Sequence, residues 1–268
     1  LHKVAREEQM ALVIVLQTLA ANLGSMCTPV GNPQNLYLHF YYAMDLPSFL
    51  TLLLPYTLVS FLLLTLSLFR LPGTPIPISV RLAARRTRNL PVLAPSRRLW
   101  LLGGMFFLSL LTVAHVLDYR LTLAIVIVVT SLTRPRYFRY ADYRLLGTFV
   151  AFFILVGNMS QLPGFRDLLT GYLEGHEFLI ALLASQVISN VPAAVLLSGF
   201  TDEAAALLLG TDIGGLGTLI ASMASLISYG MYVRACPRQQ GRYLKLFSLL
   251  NLAYLLVLVL FAWLLVRC

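Results

Sequence analysis

The sequence predicts an all-α integral membrane protein, an inverted repeat with broken transmembrane helices and a re-entrant hairpin, its first repeat incomplete. Three observations predict it. Of 268 residues, 59% are hydrophobic and 12% charged, with a mean hydropathy of +0.81; a soluble domain carries roughly a quarter charged residues. Apolar runs approach the ~20 residues that a membrane-spanning helix needs. Two stretches 190 residues apart, Ala21–Gly31 and Thr211–Ala221, are near copies, and each sets small, polar and helix-breaking residues inside an apolar run.

Taken in order, the first span runs from about Met10 to Ala21, breaks across 22–33 and resumes to about Tyr42. A second, Phe49 to Phe69, carries Pro55 in its first turns, where a kink is expected. Residues 1–71 thus read as the C-terminal part of a first repeat. The connector 72–98 holds five prolines and six arginines and no acid. Residues 99–268 read as the second repeat. Its spans lie near Leu99–Leu117, Leu121–Leu132 and Leu145–Asn158. A hairpin follows over 176–200, then a broken helix over 202–233 and a final span over 246–267.

Charge sets the expected orientation. The chain has 20 Lys and Arg against 11 Asp and Glu, a net charge of +9. The basic residues fall in short loops, as the positive-inside rule requires, rather than on a nucleic-acid-binding face. Placing Lys3 and Arg6, the connector, the 134–144 link and the 234–245 link in the cytoplasm demands alternate crossings. The spans supply them only if Phe178–Phe200 enters from outside and returns. Its two arms, of about ten residues each, are too short to cross at 1.5 Å per residue. The two broken spans are then inverted, with the N-terminus cytoplasmic and the C-terminus outside. The expected location is the plasma (inner) membrane.

The interruptions carry the chemistry. Freed backbone groups survive at membrane depth only where they line a protected cavity, and paired Gly/Pro interruptions point to the binding site of a secondary transporter. Asn22, Ser25, Thr28, Asn32 and Asn35 supply neutral oxygens, which suit Na⁺, and amides that hydrogen-bond a carboxylate. Gly24 aligns with Gly214, and Thr28 with Thr218. Asp212 is an ionisable group inside a span, a functional candidate by default, able to ligate a cation or carry a proton. Gly214, Gly215 and Gly217 allow close backbone approach; close helix packing is the plainer account of such glycines. At the hairpin tip, Ser189 and Asn190 offer a hydroxyl and an amide, and Pro192 fixes the turn. Three cysteines (Cys27, Cys236 and Cys268) form no metal or disulfide pattern. No Ser–His–Asp set, metal cluster or Walker loop is present, so neither an enzyme nor an ATP-driven pump is expected.

Ala-Asn-Leu-Gly-Ser…Thr-Pro-Val-Gly-Asn-Pro-Gln-Asn (21–35), Ser-Asn-Val-Pro-Ala (189–193) and Asp-Ile-Gly-Gly-Leu-Gly-Thr-Leu-Ile (212–220) resemble the ion transporter superfamily. It includes arsenite permeases, citrate and dicarboxylate/sodium symporters and sodium/proton antiporters. The likeness is to its bacterial anion permease branch and covers nearly the whole chain. It implies a homodimer in the bilayer moving a small anionic substrate with Na⁺ or H⁺ and without other cofactors. By that pattern Ser189, Asn190, Asn32 and Thr28 contact substrate. Asn22, Gly24, Ser25, Asn35, Asp212, Gly214, Gly217 and Thr218 belong to the ion loops. Two departures stand out. Val191 replaces the threonine of the dicarboxylate branch, and the first repeat lacks its hairpin, which is expected upstream of Leu1. Two alternatives remain: a cation/proton antiporter using Asp212, and a truncated, inactive or regulatory membrane protein.

Overall fold

The computed structural model describes residues 7–69, 97–133, 135–140, 143–159 and 161–267. Its contacts divide the chain into two compact units, Leu1–Pro75 with Phe152–Cys268, and Ile76–Ala151. Elements from both halves of the sequence therefore share the first unit. The connector at 72–98, up to residue 96, lies outside the described residues.

In the first unit, α1 (Glu7–Ser25) ends where Cys27, Thr28 and Pro29 begin an irregular stretch, and α2 (Pro33–Tyr41) resumes after it. Proline at the first helical position loses no bond there. Asn32 caps α2, its Oδ1 accepting the Asn35 N–H at 3.0 Å. Gly31 is required between the two, since a Cβ at that position would fall on the Ser25 carbonyl. Exposed Asp45 stands before α3 (Leu46–Phe69) and accepts the Ser48 N–H at 3.0 Å. That bond holds its carboxyl below the usual range. The helix α3 continues through Pro55.

The described part of the second unit holds α4 (Arg97–Val113), α5 (Tyr119–Thr133) and a 3-10 turn at Pro135–Tyr140. The α4 and α5 helices pack together, tied by Thr112 and Thr122, whose hydroxyls lie 2.6 Å apart. The next helix, α6 (Tyr143–Met159), starts in this unit and ends in the first.

The first unit resumes with α7 (Pro163–Leu173), a short helix that the apolar runs do not predict. Then come α8 (Glu177–Ile188) and α9 (Asn190–Ser198), joined at the single residue Ser189. Its φ of +73° turns the chain, so the interruption expected at 189–192 falls on the serine. Next, α10 (Ala204–Gly214) is separated by an irregular stretch from α11 (Met223–Ala235), and α12 (Gln240–Arg267) closes the chain.

Burial explains the layout. In α3 only Phe49, Leu53, Tyr56 and Ser60 are buried, a single stripe at helical spacing. Phe61 is 69% exposed and Leu58 59%. In α12 the buried stripe is Tyr243, Phe247, Asn251, Tyr254, Leu258 and Ala262, while Leu249 and Leu260 face outward. Apolar side chains on the outer faces of helices of 24 and 28 residues are what a bilayer selects and water does not. Between these two helices, α1 buries Ala11, Val15 and Leu19 completely.

Candidate functional site

The two breaks and the hairpin turn meet. A cavity of about 260 Å³ is lined by Asn22 and Ser25 from the end of α1 and Asn32 and Gln34 from the start of α2. Asn190 from the start of α9, and Asp212, Gly215 and Ser222 from the second break, complete its polar wall. Just below the size range of ligand pockets, roughly 300–1,000 Å³, it suits a small solute. Three helices, α2, α9 and α11, begin at its wall, and their N-termini bring partial positive charge. Asp212 is the only ionisable side chain among its lining residues.

Two hydrogen bonds relate the copies. Asn32 Nδ2 donates to Asp212 Oδ1 at 3.3 Å, and Ser222 Oγ donates to Asn22 Oδ1 at 2.8 Å. Asn22 aligns with Asp212. Asn32 aligns with Ser222, and both of these cap the helix after their break. Each broken helix thus reaches across to the helix cap of the other copy. Gln34 Nε2 adds a second donor to Asp212 Oδ1 at 3.2 Å, and Oδ2 is buried with no partner among the described residues.

The polarity of each amide follows from its partner. The Oδ1 of Asn32 accepts a backbone N–H, so its Nδ2 faces Asp212. Asn190 Oδ1 accepts the Val191 N–H at 2.9 Å, which turns its Nδ2 toward Gly215. Ser222 Oγ accepts the Ala224 N–H at 3.2 Å, so its proton goes to Asn22 Oδ1; Asn22 Nδ2 is buried without an acceptor among the described residues. The side-chain oxygens of all three asparagines are engaged by protein donors. Asn32 Nδ2 is spent on Asp212 Oδ1 and on Ser25 Oγ at 3.4 Å, so the N–H groups that remain are those of Asn22 and Asn190.

Other sequence candidates take different places. Ser25 lines the cavity, donating to the Asn22 carbonyl at 2.8 Å. Asn35, fully buried, pins the first break by donating to the Met26 carbonyl at 3.2 Å. Gly24 lies on α1 with open space beside it, and Thr28 is exposed in the loop with its carbonyl on the Gly31 N–H. Ser189 and Asn190 hold the hairpin tip to the second break, the Asn190 N–H donating to the Ala221 carbonyl at 3.0 Å and Ser189 Oγ at 3.4 Å. Gly214 packs against α8, where a Cβ would stand 2.8 Å from Ser185 Cβ.

Three residues escaped the sequence reading. Gln34 was visible as an amide beside a break. Ser222 was visible as the position matching Asn32. Gln186, a lone amide in an apolar arm, receives the Thr218 N–H on Oε1 at 2.9 Å and donates through Nε2 to the Gly214 carbonyl at 2.7 Å.

Apolar outer faces around a polar cavity built from interrupted helices define a membrane protein of the transporter kind. Residues 2–227 match the citrate transporter family, and the chain belongs to it. It is 30% identical over 253 residues to the uncharacterized transporter MJ0456 of Methanocaldococcus jannaschii, covering 93% of this chain and 66% of that protein. It is 31% identical over 225 residues to the inner membrane protein YbiR of Escherichia coli, covering 82% of this chain and 58% of that one. The chain therefore spans less than two thirds of the length of either relative. No solved structure matches it significantly.

Proposed function

We propose that the cavity is the substrate site of a secondary active transporter for a small anion, a carboxylate or oxyanion, coupled to Na⁺ or H⁺. One observation carries the anion reading: Asn22 and Asn190 keep N–H groups without an acceptor among the described residues, their side-chain oxygens being already engaged. Two amide N–H groups beside three helix N-termini recognise acceptor oxygens without a guanidinium or ammonium. The family description, citrate transporter, agrees with that class of cargo.

An anion entering beside ionised Asp212 would meet a like charge, and no cationic side chain among the lining residues offsets it. A coupling ion at the bare Oδ2 removes the repulsion, which would make uptake of anion and coupling ion interdependent. We place the complete transporter in the plasma membrane as a homodimer, its hairpin entering from outside and its broken helices inverted.

The unpartnered Oδ2 also supports a second reading, cation/proton exchange at Asp212. Reconstituted protein decides between them. Labelled citrate, phosphate and Na⁺ are offered to proteoliposomes under imposed Na⁺ and pH gradients. Anion uptake driven by either gradient is expected. Asp212→Asn should leave some anion movement but abolish its dependence on the driving gradient. Na⁺ exchange without any anion uptake would replace the anion reading with the exchanger.

A further inference from the structure

We infer that Gln186 occupies, with its own amide, the place that a coupling cation would fill in the second break, so that this loop keeps its shape without an ion. The break after α10 frees the Gly214 carbonyl on one side and the Thr218 N–H on the other. At membrane depth such groups must find partners, and in transporters with discontinuous helices the unwound carbonyls at half-helix ends coordinate the coupling cation. Here one side chain satisfies both. Gln186 Nε2 donates to the Gly214 carbonyl at 2.7 Å, and its Oε1 accepts the Thr218 N–H at 2.9 Å. The polarity admits no flip, because one partner is only an acceptor and the other only a donor.

The oxygens of Thr218 and the Ala221 carbonyl are used as well. Thr218 Oγ1 donates to the Gln186 carbonyl at 3.0 Å and accepts the Ala221 N–H at 3.2 Å. Gly217 takes a φ of +101°, and a Cβ there would fall on Gln186 Oε1, so backbone and amide are complementary in shape. The first break is pinned alike, Asn35 Nδ2 donating to the Met26 carbonyl. A neutral N–H thus stands at the carbonyl end of each break where a cation's positive charge would stand. Given the transport reading, ion dependence then runs through Asp212 and not through the loop at 214–221.

Hydrogen–deuterium exchange of the full chain in lipid nanodiscs tests this without any substrate, and so independently of the uptake assays. The peptide covering 214–221 is compared in NaCl and in N-methylglucamine chloride of equal ionic strength at alkaline pH. The wild type should exchange equally in both salts. Gln186→Ala should exchange about tenfold faster in both, as expected for loss of two hydrogen bonds. Gln186→Glu keeps an acceptor for Thr218 but faces the Gly214 carbonyl with a second oxygen, so Na⁺ should restore protection that N-methylglucamine does not. Wild-type protection that appears only with Na⁺ would overturn the inference even if no variant folds. Unchanged exchange in Gln186→Ala, or indifference of Gln186→Glu to Na⁺, would equally overturn it.

Discussion

Asn190 shows how one side chain sets the sign of a site. Its Oδ1 is engaged by the next backbone N–H in the first turn of α9, which leaves two N–H bonds for a ligand. Asn190→Ala should therefore abolish anion uptake while the protein still inserts. Asn190→Asp is the sharper variant. It keeps the acceptor for Val191 but presents an oxygen where the N–H was, so uptake should fall by at least about tenfold, the cost of a lost hydrogen bond to a charged ligand. Uptake retained or raised in Asn190→Asp would speak for a cation in the cavity. Asp212 belongs to the same scale: with two amide donors on Oδ1 and none on Oδ2, it is half satisfied.

At the scale of elements, the hairpin and the second broken helix form one packed body. The α10 helix lies against α8 because Gly210 and Gly214 leave no side chain between them. A Cβ at Gly210 would stand 2.5 Å from the Phe178 carbonyl and 2.8 Å from Ala181 Cβ. Gly210→Leu should destabilise by about 1–3 kcal/mol or more through overpacking, read as a lower melting temperature of the purified protein. An unchanged melting temperature would show that the two helices do not approach this closely. The first copy joins the same body through α2. Tyr37 Oη lies 2.8 Å from Ser198 Oγ, and Tyr42 Oη donates to the Thr201 carbonyl at 2.7 Å. The resumed helix of one copy is thus bonded to the hairpin beside the other.

For the whole molecule, the bilayer is the solvent that the outer faces answer to. Phe61, 69% exposed on α3, faces outward from a helix whose buried stripe lies on its other side. Phe61→Asp should cost about 2.5–3.5 kcal/mol of insertion free energy if the residue lies near the membrane centre, seen as loss of membrane-integrated protein. Tyr56→Phe, on the buried stripe, should insert normally. Equal insertion of Phe61→Asp and wild type would place that face against protein. Membership of the citrate transporter family agrees with this architecture, and the 66% and 58% coverage of its relatives leaves the activity of the complete protein to experiment.

The sequence by itself determined what is local or compositional. Hydrophobic runs marked the long helices, glycine marked both breaks with proline added in the first, and Ser189–Asn190 marked the turn between α8 and α9, because each follows from propensity over a few residues. It missed α7, where Arg166 and Asp167 interrupt the apolar run on which the search for spans depends. It named Asp212, and it named Asn22, Asn32 and Asn190 but left open whether these three offer oxygens or N–H groups, since an amide has both. Only the tertiary structure decided that. Asn32 and Asn190 are oriented by backbone N–H groups three and one residues on, in turns that exist only once the breaks are folded. Asn22 is oriented by Ser222, 200 positions away, and no local periodicity encodes which atom of an amide is taken by a partner so distant. For the same reason Gln186, one polar residue in an apolar arm, acquires a role only when folding brings its two amide atoms against the freed backbone of the second break.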